Sequence, residues 1–231
     1  MPHEMCLQVP SADAGTAIDM AANLGWKGVC LLADKHEFRI TKTAINTDKH
    51  VSVDRSVGLL LEPRSRNDLK KQVSNNRRNF KIIAIHPKDI DISRAAVETK
   101  GVDMLLGWES VGQTSHERVI DYVMVKLAAE NGVAIAFSLQ TLLSAYDRGR
   151  AGIMSKYLEA ARFVRKYNTP LIITSGALSP WDLRSASELT AFGKVLGFNG
   201  KDIKQAISGE MIQNNRKRLS GKWIMPGVEL E

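Results

Sequence analysis

Cysteine is nearly absent from this chain: its 231 residues include only Cys6 and Cys30. Both sit inside apolar segments, so a disulfide framework is excluded and small buried thiols in a reducing compartment are expected. No apolar run approaches the length of a membrane span, and the first residues carry no signal-peptide pattern. A soluble, cytoplasmic protein with no membrane partner is the expectation. Linkers rich in proline or glycine, composition shifts, internal repeats and low-complexity segments are lacking too. That argues for a single domain over 1–231, closed by a basic segment at about 210–231. No glycine-rich phosphate fingerprint follows the first apolar run, which counts against a dinucleotide-binding sheet. No strand candidate ends in a His-x-His pair, and no serine or cysteine has an obvious base. No residue is therefore assigned as catalytic or metal-binding.

What is present is an alternation. The runs Met5–Val9, Gly28–Ala33, Val57–Leu61, Lys81–Ile85, Val102–Leu106, Val133–Phe137 and Leu171–Thr174 read as strands. Continuous aliphatic runs of this kind suit parallel strands covered on both faces. Apolar spacing predicts helices at Ala12–Leu24, Asn67–Asn79, Ile92–Thr99, Ala151–Tyr167, Ser187–Leu196 and Lys201–Ser208. Two capping boxes, Thr114 to Glu117 and Ser185 to Glu188, mark further helix starts. The first would open a helix carrying Val119, Ile120, Val123 and Leu127 on one face. Between Asp34 and Arg55 no clear pattern emerges. A strand-then-helix unit repeated about seven times predicts an α/β fold, a TIM-barrel-like (β/α) barrel.

In such a barrel every loop that follows a strand opens at one end. Here those loops hold Lys35, Arg39, Arg64, Arg66, Lys88, Arg148, Arg150 and Arg184, in a chain of net charge +7. Lys70, Lys71, Arg77 and Arg78 share one arc of the helix after Arg66. Guanidinium forks bond two phosphate oxygens at once, so these cations are candidate RNA contacts. Trp181, beside Arg184, would offer an unpaired base a stacking surface. Arg216, Lys217 and Arg218 form a compact cluster that reads as a solvated tail or as an arm clamping an RNA backbone. The same loops carry Asp34, His36, Glu62, His86, Glu109, His116 and Asp182. Hence an alternative: a stand-alone metal-dependent phosphoesterase using Asp34, His36, His86 and Asp182.

Three segments carry a resemblance. Arg64-Ser-Arg-Asn-Asp-Leu69 at a helix start, Lys126-Leu-Ala-Ala-Glu-Asn-Gly-Val-Ala-Ile135, and Thr174-Ser-Gly-Ala177 followed by Trp181-Asp-Leu-Arg-Ser185 are similar to protein component 3 of archaeal ribonuclease P. That family has a eukaryotic counterpart subunit. The likeness runs from Val57 to Leu196 and takes in Pro226-Gly-Val-Glu229, while Cys6-Leu7 and the region 38–54 depart from it. It implies a barrel related to polymerase-and-histidinol-phosphatase-type phosphoesterases without their metal ligands. It also implies a subunit that binds and stabilises a catalytic RNA, which removes the 5′ leader from precursor tRNA. The RNA would carry the Mg²⁺, with no cofactor bound by this chain and precursor tRNA met indirectly. Ribonuclease P protein component 2 would be its protein partner, two copies of each in a heterotetramer. By position the resemblance adds Lys126, Ser175 and Gly176 to the RNA-binding candidates. Gly176 would let backbone approach closely, and Asp182 would orient Arg184 or cap the next helix.

Overall fold

The computed structural model describes residues 1–47, 53–111, 119–219, 223–225 and 228–229. Seven strands, β1 (His3–Leu7), β2 (Gly28–Ala33), β3 (Asp54–Leu61), β4 (Ile83–Ile85), β5 (Met104–Leu105), β6 (Ala134–Ser138) and β7 (Leu171–Thr174), form one sheet in chain order. Every neighbouring pair is parallel. Around them lie α1 (Ala14–Asn23), α2 (Phe38–Thr47), α3 (Arg66–Asn76), α4 (Ile90–Glu98), α5 (Tyr122–Asn131), α6 (Leu139–Ser144) and α7 (Asp147–Tyr167). After β7 come α8 (Ala186–Val195), α9 (Gly200–Ala206), α10 (Glu210–Arg218) and an antiparallel pair, β8 (Trp223–Met225) with β9 (Val228–Glu229).

Side-chain alternation builds two cores from the same strands. On β2, Val29, Leu31 and Ala33 face the surrounding helices, while Cys30 and Leu32 face the barrel axis with Met5, Met104, Ala136 and Ile172. Small residues at Ala84, Ala134 and Ala136 leave the interior room for Met104 and Leu106. Both thiols are free and buried, and burial pushes that of Cys30 up to about 12, so it stays protonated.

Seven strands leave a seam between β1 and β7, and a side chain closes it. The fully buried carboxylate of Glu4 accepts the hydroxyl of Thr174, the Ser175 amide at 3.1 Å and the Ser175 hydroxyl at 2.8 Å. Further along, the Gln8 amide donates to the Ala177 carbonyl at 2.9 Å.

The structure corrects several boundaries. The first strand begins at His3, not Met5. The unpatterned stretch from Asp34 holds α2 and the start of β3. The Thr114 to Glu117 box and His116 fall outside the described residues; α5 instead starts at Tyr122, capped by Asp121, whose carboxylate accepts the Met124 amide at 2.8 Å. Val119 and Ile120 therefore precede that helix, although both are buried. The Ser185 to Glu188 box is present as read, with reciprocal bonds at the start of α8.

The basic C-terminal cluster also differs from expectation: Glu210–Arg218 is a helix, not a solvated tail. Ile212 enters the axial core. Arg216 forks onto Asp54, the first residue of β3, with both bonds at 2.6 Å. Asn215 donates to Asp103, just before β5, at 2.9 Å. Helix α10 thus plugs the barrel at the end where its strands begin.

Candidate nucleic-acid interface

At the opposite end, the chain from β7 to α8 is fastened residue by residue. Ser175, wholly buried on Glu4, accepts the Arg184 amide on its hydroxyl at 3.0 Å. Gly176 turns into the left-handed region (φ 63°), and a Cβ there would lie 2.0 Å from the Ser138 hydroxyl. The Asp182 carboxylate accepts both the amide and hydroxyl of Ser179 at 2.9 Å, closing the single helical turn Pro180–Asp182. The Trp26 indole N–H holds the Arg184 carbonyl at 2.9 Å. What this framework offers to solvent is the Trp181 ring, 73% exposed, with the half-buried Arg184 beside it. One arm of the Arg184 guanidinium donates to the Trp181 and Leu183 carbonyls at 3.0 and 2.9 Å, which fixes its position beside the indole.

Three readings change here. Ser175 is buried and anchors the loop, so it has no surface with which to touch RNA. Gly176 answers to a left-handed turn and to tight packing on Ser138, although it does reach the barrel mouth. Asp182 neither orients the Arg184 side chain nor caps α8; it ties its own loop to Ser179, and Ser185 caps α8.

The mouth itself is a cavity of about 380 Å³ between the loops after β1, β4, β5, β6 and β7. Glu109, expected on the rim, lies buried beside it and accepts the Tyr157 hydroxyl at 2.7 Å. Burial pushes the carboxyl of Glu109 up, and burial together with Glu109 pushes the phenol of Tyr157 up. Nothing in the local pattern separated Glu109 from solvated loop carboxylates; its partner lies 48 residues away on α7.

The proposed metal ligands do not converge. Asp34 accepts the amides of His36 and Glu37 at 2.7 and 2.8 Å as an ordinary turn cap. His86 pairs with Glu62 at 3.4 Å, and Asp182 is engaged with Ser179. Among the described residues no three His, Cys, Asp or Glu side chains could hold one ion.

The cations divide between the two ends. Arg64 and Arg184 follow strand ends at the mouth, whereas Arg148 and Arg150, expected in a loop, lie in the first turn of α7, which starts at Asp147 after α6. Arg66 starts α3 at the same end, but its guanidinium lies 3.1 Å from Glu98, the last residue of α4, and Arg150 donates to the Ala145 and Leu143 carbonyls. Lys70 and Lys71 are exposed further along α3. Lys126 lies midway along α5, 3.9 Å from Glu130. Arg77 and Arg78, read with the cations of the helix after Arg66, and Arg216, Lys217 and Arg218, read as a solvated tail or a backbone-clamping arm, do not gather at the mouth. All five sit where α3 and α10 end, at the plugged side. Arg77 is bonded to Asp103 at 2.5 Å and to the Gly101, Phe80 and Lys81 carbonyls, a half-buried brace rather than a free phosphate ligand.

Fold and site together define a parallel (β/α) barrel whose open end carries an exposed aromatic ring among arginines. Residues 5–220 match the model of the family described as RNase P subunit p30. The chain is 29% identical to Ribonuclease P protein component 3 of Methanococcoides burtonii over 92% of its length and 86% of that protein. It is 30% identical to the same component of Methanosarcina mazei over 91% and 86%. A chain in the cryo-EM structure of archaeal Ribonuclease P with mature tRNA shares the fold, with a TM-score of 0.80 at 22% identity, covering 99% of this chain and 97% of that one. Aspergillus niger ochratoxinase has the same kind of barrel, with a TM-score of 0.64 at 12% identity over 91% of this chain and 70% of that one. The chain belongs to the RNase P subunit p30 family. It is accordingly a ribonuclease P protein subunit with a part in tRNA 5′ processing.

Proposed function

We propose that this subunit is non-catalytic and grips the ribonuclease P RNA at the strand-end mouth of its barrel, holding the catalytic RNA in its active shape. Cleavage of the precursor-tRNA leader then belongs to the RNA and its Mg²⁺, with no cofactor held by this chain. The observation that carries the reading is the braced loop presenting Trp181 and Arg184 at the strand-end side of the barrel, where the first turn of α7 carries the exposed Arg148 and Arg150. Planar cations beside an aromatic face suit single-stranded RNA, whose phosphates and unpaired bases are both accessible. Ribonuclease P protein component 2 is the proposed protein partner, two copies of each chain in a cytoplasmic assembly, with precursor tRNA met through the RNA. The test is reconstituted precursor-tRNA cleavage with and without this chain. Arg184→Ala should lower activity at limiting Mg²⁺ while the melting temperature holds. Normal cleavage by that variant across the whole Mg²⁺ range would remove Arg184 from the account.

A further inference from the structure

The mouth cavity is chemically unlike the rim around it. Its walls include Gln8, His86, Ser138, Gln140 and Thr141, and among the described residues no lysine, arginine, aspartate or glutamate lines it. A phosphate would find no charged donor there, and a metal ion no carboxylate. A neutral planar group with donors and acceptors along its edge is the matching ligand. At about 380 Å³ the cavity lies near the small end of the usual range for ligand sites, about 300–1,000 Å³, enough for one base.

Two stretches of the wall are closely packed. The His86 ring is held by Glu62 at 3.4 Å and packs so closely on Gly107 that a Cβ there would come within 2.2 Å of it. Gly176 lies as tightly on Ser138. The side-chain amide of Gln8 makes no hydrogen bond among the described residues, so its donor and acceptor both remain available. Leu178, which lines the cavity, is 55% exposed; Tyr146, next in the chain after the lining Ala145, is 78% exposed, and Trp181, three residues beyond Leu178, 73%.

We propose that this cavity receives one unstacked nucleobase of a bound single-stranded RNA, while Arg148, Arg150 and Arg184 hold the phosphates on either side. The proposal rests on the RNA-binding reading and adds what the mouth recognises. Bases read in this way are splayed from the strand, stacked on side chains and bonded along an edge, and an amide can pair with adenine through two bonds.

The test measures binding of the full chain to two labelled oligoribonucleotides of equal length, one rich in adenine and one abasic throughout. The base-bearing strand should bind about fivefold or more tightly. In a Trp181→Ala background, which removes the outer stacking surface, Gln8→Ala, and separately Ala145→Phe, which fills the cavity, should abolish the margin that remains while leaving abasic affinity and melting temperature unchanged. Equal binding of the two strands in the Trp181→Ala background, or a margin surviving there in both further variants, would overturn the cavity proposal alone. Failure of both strands to bind would overturn the RNA-binding rim as well. Displacement of the strand by adenosine 5′-monophosphate at equal nucleotide concentration would assign the cavity to a free nucleotide instead.

Discussion

Glu4 accepts bonds from Thr174, twice from Ser175 and from the Cys6 amide, all within the closed core. Burial raises its carboxyl pKa; those donors oppose the shift without cancelling it. A carboxyl raised on folding adds stability that is fully present below its unfolded value, about 4.3, and fades as pH climbs through the folded one. Thermal melts across pH should therefore show the advantage of wild type over Glu4→Gln shrinking upward from about pH 4 and then levelling. A constant difference would mean that Glu4 does not titrate in that window. Glu4→Ala should be far worse, about 1–3 kcal/mol for each donor left dry. Trp181 is the opposite kind of residue. Because its ring is mostly solvated, Trp181→Ala should leave the melt unchanged while weakening single-stranded RNA binding by about 1–3 kcal/mol, measured by titration.

Helices that bury a regular stripe were legible, and those held by polar bonds were not. Helix α8 declared itself through Ser185, Glu188 and the buried Leu189 and Phe192. Helix α10 reads Glu-Met-Ile-Gln-Asn-Asn-Arg-Lys-Arg, with Ile212 its one fully buried side chain. Its docking depends on carboxylates more than 100 residues away, Asp54 and Asp103, which no local pattern reports. Burial alone would raise the carboxyl of Asp54, but the paired bonds and charge of Arg216, with His3, hold it below its usual range. The stability linked to Asp54 is present above its unfolded value, about 3.9, and is lost as pH falls through the lower folded value. Arg216→Ala should then cost about 1–2 kcal/mol at neutral pH, discounted because part of each side chain meets solvent. The loss should narrow in acid. Denaturant melts at two pH values check both parts, and an acid-insensitive loss would place the latch elsewhere.

For the whole molecule, seven alternating units were enough to say which loops share an end, because parallel strands send every following loop the same way. They could not say which cations are already partnered. Arg77 and Arg184 look alike in sequence, yet one is bound by Asp103 and three carbonyls while the other, half-buried beside an exposed indole, has only one arm engaged, on two carbonyls. Sequence charge therefore overstates the surface available to a polyanion, and the salt dependence of RNA binding should reveal by how much. Each phosphate contact releases counterions, so the slope of log affinity against log salt counts the cations engaged. Arg184→Ala should reduce the magnitude of that slope by about 1. Arg216→Ala, assayed well below its melting temperature, should leave it unchanged, since its guanidinium lies on Asp54 at the far end of the barrel. Equal reductions in both variants would mean that RNA wraps both ends, and the division between gripping mouth and plugged base would fall.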